Sequence, residues 1–139
     1  MLFTTAFTSW AYAIELSGEA TLYKNPQCLC CDEYVRQLEQ AGMSVTIETT
    51  TDLAAVMKQA GIPEALAACH TLIVGDYIIE GLVPLNVVER LMTEKPAIRG
   101  ISLPGMPMGA PGMGTPDMKD GPLTIYEISP DASKVYATD

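Results

Sequence analysis

Three of the four cysteines stand within four residues, Cys28-Leu29-Cys30-Cys31, after Asn25-Pro26-Gln27 and before a helical pattern over Asp32–Leu38. A thiolate is both a nucleophile and a soft-metal ligand, and a helix start favours it through free N–H groups and the positive dipole end. Three chemistries compete. Paired structural disulfides are common for four cysteines in an exported chain. Here adjacent Cys30 and Cys31 would need a strained backbone to pair, and a bridge within one turn closes almost no loop. Cys28 and Cys31 also form a C-x-x-C pair at a helix start, the arrangement of a dithiol redox couple. Finally, C-x-C-C supplies three soft donors and Cys69 a fourth, a set that suits Cu(I), Zn or an iron–sulfur centre.

Methionine separates these metals, because a thioether binds Cu(I) well and is not a usual zinc ligand. Met106, Met108 and Met113 stand among prolines and glycines with no apolar periodicity, and Met118 follows in the same segment. They are either ligands or a greasy loop folded over an apolar surface. Met43, Met57 and Met92 fall on strand and helix patterns and read as core. His70, the single histidine, could ligate, tune Cys69 or sit as a satisfied core imidazole, the commonest fate of a lone histidine. Asp32 and Glu33 complement the helix dipole. No carboxylate pair for hydrolysis stands out, and the glycines lack the strand–helix context of a phosphate loop.

The elements that must position these groups are short. Ala20–Tyr23 alternates as a strand into the Lys24-Asn25-Pro26 turn. A helix carrying Tyr34, Val35, Leu38 and Ala41 on one face closes at Gly42. Ser44–Glu48 is β-branched and strand-like. Asp52 caps a helix over Leu53–Gln59 that ends at Gly61, and a turn at Glu64–Ala68 delivers Cys69-His70. Thr71–Val74 and Tyr77–Glu80 form a hairpin around Gly75-Asp76. Pro84 opens a last helix as its first residue, with Leu85, Val88, Leu91 and Met92. The order β-α-β-α-β-β-α is that of a thioredoxin-like α/β sandwich, in which the loop before the third strand faces the start of the first helix. Residues 96–122 read as a Met/Pro/Gly-rich loop without periodicity, and Leu123–Tyr126 with Lys134–Ala137 as a C-terminal hairpin.

The chain of 139 residues is 48% apolar, enough for one ordinary core. A formal charge of −9 repels polyanions, so nucleic acid is an unexpected partner, whereas a metal ion is compatible. Residues 1–13 are apolar and hydroxyl-rich and end in Ala11-Tyr12-Ala13, an A-x-A pattern of the kind signal peptidase cuts. No Lys or Arg precedes Lys24, so the segment reads as a signal-peptide remnant lacking its basic start. The domain then spans residues 14–139. No segment reaches the ~20 apolar residues of a membrane span, and export would place the protein in the periplasm.

Four ordered motifs carry a resemblance: Asn25-Pro26-x-Cys28-x-Cys30-Cys31, Cys69-His70-Thr71, Glu80-Gly81-x-Val83-Pro84 and Pro104-Gly105-Met106-Pro107. Over about Ala20 to Met113 the chain resembles the CopG-type copper-resistance proteins, periplasmic thioredoxin-like proteins found with copper-efflux systems. The resemblance implies Cu(I) held by Cys28, Cys30, Cys31 and Cys69, with Met106 and Met108 adjacent. It also implies a multinuclear thiolate cluster, a role in copper redox or handover, and a copper-efflux component or redox partner. Leu29 replaces the family's usual glycine. Tyr34 and Gln37 replace its first-helix Trp and His, and Glu80-Gly81-Leu82 lacks its histidine, which shifts the burden to sulfur. The alternative is a thiol–disulfide oxidoreductase using Cys28 and Cys31. Against it, such enzymes place proline before the third strand, where this chain has Cys69-His70.

Overall fold

The computed structural model describes residues 13–139; the export segment expected over residues 1–13 lies outside them apart from Ala13. Among the described residues, seven strands form one mixed sheet in the order β2-β1-β3-β4-β5-β6-β7. Strand β1 (Glu19–Lys24) lies parallel to β2 (Ser44–Thr49) and antiparallel to β3 (His70–Val74). The β3–β4 hairpin turns at Gly75-Asp76 as expected, with Val74 opposite Tyr77 at the start of β4 (Tyr77–Glu80).

Helix α1 (Leu29–Gln40) buries Cys31, Tyr34, Val35 and Leu38, an i, i+3, i+4, i+7 stripe against the sheet. It stops where Gly42 adopts φ +111°, letting Gly42 N–H donate to Glu39 O and Met43 N–H to Leu38 O, a Schellman closure. Helix α2 (Leu53–Ala60) is capped by Asp52, whose carboxylate accepts from Ala55 N–H at 3.1 Å. Helix α3 (Leu85–Glu94) begins one residue later than the sequence suggests, so Pro84 is its N-cap and not its first residue. Val87, Val88 and Leu91 of α3 join the α1 stripe, Leu22, Leu72, Ile79 and Ile101 in the main core. Ile78 points to the opposite face from Ile79 and packs with Ile62, Leu66, Ile128 and Met57 in a second, smaller core.

The segment 96–122 is not one aperiodic loop. Gly100–Ser102 forms β5, parallel to β4 and antiparallel to β6 (Thr124–Glu127), which pairs in turn with β7 (Val135–Thr138). The expected C-terminal hairpin thus extends the main sheet, and Ile101, Leu103, Ala110 and Leu123 enter its core. Three residues, the first of them a glycine, are too few to show alternation. Gly100 makes the β4–β5 pairing possible, since a Cβ there would fall on the Ile78 carbonyl. Gly100→Ala is therefore expected to cost about 1–3 kcal/mol as an overpacked site, read as a lower urea midpoint; an unchanged midpoint would show that β5 gives way freely.

Candidate metal centre

The Asn25-Pro26-Gln27 turn is closed locally. Asn25 Oδ1 accepts from Gln27 N–H at 3.0 Å, and Asn25 O accepts from Cys28 N–H at 3.1 Å. Cys28 is the N-cap of α1, with extended φ −79° and ψ 95°, and Cys30 and Cys31 occupy its first turn. Cys69 comes from the loop before β3. That loop is held to the Met segment by a bridge between Ala68 and Gly105 and by Gly105 N–H donating to Ala67 O at 3.2 Å. The next residue, Met106, is thereby set over the sulfurs. Further along, the segment passes so close to α1 that a Cβ on Gly112 would lie 2.6 Å from Cys30 O.

The four Sγ atoms lie within 4.8 Å of one another. Cys28 and Cys31 are joined as a disulfide, with Cα atoms 5.4 Å apart, and Cys30 and Cys69 are free thiols. Cys30 Sγ is 3.4 Å from Cys28 Sγ and 3.7 Å from Met106 Sδ. Cys31 Sγ lies 3.5 Å from the Cys69 carbonyl oxygen, and Cys69 Sγ is 3.4 Å from His70 Nδ1. Cys31 is fully buried, while Leu29 and Met106 are exposed and stand beside a cleft of about 460 Å³ that reaches Cys28, Cys30 and Cys69. Oxidised, the site offers two thiols and a thioether; two-electron reduction returns four cysteine donors.

Burial keeps Cys69 and His70 uncharged. Burial, with the neighbouring Cys30 sulfur, pushes the Cys69 thiol up to about 12. His70 is wholly buried and stacks on Tyr34 with ring centroids 5.0 Å apart; burial pushes it down to about 3, so it is a neutral imidazole. Glu80 is also wholly buried. Its carboxyl accepts from Ala68 N–H at 2.8 Å and from Thr71 Oγ1–H at 2.6 Å, bracing the Cys69 loop, and burial raises it to about 7 against those two bonds.

The fold therefore gathers Cys28, Cys30, Cys31, Cys69 and Met106. Met108 lies elsewhere, lining a separate cleft with Leu66, Leu103 and Tyr126. Met113 packs against the main core, and Met118 Sδ accepts from Thr115 N–H at 3.5 Å. Lys24 belongs to no chemistry motif, and Glu80 stands in the Glu80-Gly81-x-Val83-Pro84 motif with no role assigned by it. Strand alternation carried the signal for Lys24, which falls on the same buried face as Ala20 and Leu22.

A mixed α/β sheet with a C-x-C-C helix start and a facing fourth cysteine defines a class by its architecture: an α/β protein that gathers four cysteine sulfurs at one helix start. Comparison narrows it. Two solved structures of "Copper resistance protein copG", Form 1 and Form 2, each superpose with a TM-score of 0.78 and 28% identity. They cover 88% and 87% of this chain and 97% of their own. Residues 66–113 match the family described as "Protein of unknown function, DUF411", a span that holds Cys69 and Met106 but not the C-x-C-C motif. No curated protein matches the sequence. The structural neighbours of this chain are CopG copper resistance proteins, and the resemblance carried by the four motifs holds.

Proposed function

We propose that this protein binds copper as Cu(I) through Cys28, Cys30, Cys31 and Cys69, with Met106 as an adjacent thioether, and serves copper resistance in the periplasm. The observation that carries this reading is the convergence of four cysteine sulfurs from two loops within 4.8 Å. Sulfurs so close can bridge, so a thiolate cluster holding more than one ion is the expected loaded form. Thiolate and thioether donors favour Cu(I) over harder ions. The similarity to copper resistance proteins supports the choice of metal. Met108, carried over with Met106, would take part only if the Met segment moved it from its present cleft. The domain at work is residues 14–139, with residues 1–13 as an export remnant and a copper-efflux component or redox protein as partner. Among the described residues no helix is long and apolar enough to cross a membrane.

Anaerobic titration of the reduced protein with Cu(I) should show more than one tightly held ion per chain, and the disulfide form fewer. Protein from zinc-supplemented cells should carry little zinc by elemental analysis. Equal retention of zinc and a single copper per chain would replace this reading with a structural zinc site.

The Cys28–Cys31 disulfide supports a second reading, a thiol–disulfide oxidoreductase. The two merge if electrons stored in the dithiol, or in the cluster, convert copper between its oxidation states.

A further inference from the structure

Lysine is almost never fully buried unless paired, yet Lys24 is 4% exposed. It ends β1 opposite His70 of β3. Its Nζ donates to Cys28 O at 3.2 Å and ion-pairs with Asp32 Oδ1 at 2.9 Å, so both partners belong to the start of α1. The Asp32 side chain is half exposed, and its charge is partly screened by water. The ammonium faces the sulfur-bearing turn from beneath with less screening.

We infer that Lys24 is a positioning residue of the sulfur site, fixing the Cys28 backbone and supplying the positive charge that offsets the negative charge gathered by reduced, metal-holding sulfurs. Its bearing on metal rests on the copper reading above; its bearing on the dithiol does not. Opening the Cys28–Cys31 bond takes two electrons and two protons and yields two thiols, while two glutathione molecules give these up and join as their own disulfide. A fixed positive charge beside Cys28 favours the reduced side, since reduced sulfurs can carry negative charge and a disulfide cannot.

The test equilibrates metal-free, full-length protein with reduced and oxidised glutathione at neutral pH and counts free thiols by alkylation. Lys24→Met should disfavour the dithiol about tenfold, a potential about 30 mV more negative. Lys24→Arg should stay within about twofold of the parent. Asp32→Asn should move the equilibrium the opposite way, a sign that a purely structural role for the pair would not produce. Competition with a chromogenic Cu(I) chelator should show about tenfold weaker binding for Lys24→Met. Equal potentials for parent and Lys24→Met, or an equal loss in Lys24→Arg, would overturn the inference. If Lys24→Met fails to fold, an unshifted Asp32→Asn does so instead. Shifted potentials in a protein that takes up no Cu(I) would sink the copper reading and leave Lys24's role standing.

Discussion

Cys30→Ser is expected to remove most of the Cu(I) capacity of the reduced protein while leaving its fold and its Cys28–Cys31 couple intact. Cys30 is the hub of the sulfur set, 3.4 Å from Cys28 Sγ and 3.7 Å from Met106 Sδ, with Cys69 Sγ within 4.8 Å. A bridging cluster needs a donor in that place that can serve two ions. A serine hydroxyl is a hard, protonated oxygen and does not serve Cu(I) so. The half-buried site tolerates the swap, and a cost within about 0.5 kcal/mol is expected for a substitution outside the core mechanisms. Anaerobic titration should then fall from several ions to one or none, with an unchanged glutathione equilibrium for the remaining dithiol. Unchanged copper stoichiometry would refute the cluster and leave the oxidoreductase reading, in which Cys30 is a spectator. Cys69→Ser adds a control: it removes the donor from the second loop, so a cluster spanning both loops should lose ions there as well.

Which parts of this site could be read from the chain follows from how local each one is. The C-x-C-C helix start, the Asp52 cap and the Gly75-Asp76 hairpin are written in a few neighbouring residues, and all three stand in the structure. That Cys69 meets Cys28–Cys31 is long-range, but the element order implied it, because β3 lies beside β1 and brings its preceding loop to the start of α1. Strand β5 was invisible because three residues carry no period, and its identity comes from partners on both sides. The Met segment divides for the same reason. Met106 is fixed by the Ala68–Gly105 bridge, whereas Met108, two residues on, lines another cleft. Spacing in sequence cannot distinguish them. Lys24 and Glu80 show the other limit. Each is a charged residue at the end of an apolar strand, and only tertiary packing reveals that each is buried against one of the two sulfur-bearing loops.

Metal-free protein in its disulfide form is expected to show almost no net pH dependence of stability from its buried core between about pH 4.5 and 6.5, because two large contributions oppose. Burial raises Glu80 from an ordinary 4.5 to about 7. The folded state then keeps a proton that the unfolded state has lost, so this stabilisation is full below pH 4.5 and fades as pH rises toward 7. His70 is lowered from 6.5 to about 3 by burial. There the unfolded state holds the extra proton, so stabilisation is full above pH 6.5 and fades as pH falls toward 3. Each group contributes a slope of about 1.4 kcal/mol per pH unit, with opposite signs, wherever its two states differ by one proton. Removing one exposes the other. Glu80→Gln should make the urea-derived stability climb with pH across that interval, by an amount on the order of 2 kcal/mol in total. His70→Phe should make it decline by a similar amount, and the double variant should be flat again. The carboxyls of Glu33, Asp117 and Asp139 are lowered by their hydrogen-bond partners and exert their pH dependence below this interval. A constant loss of stability in either variant does not affect the reading, because the slope carries it. A flat curve for His70→Phe would mean that water reaches the Glu80 carboxyl which braces the Cys69 loop, and that this half of the sulfur site is looser than its hydrogen bonds imply.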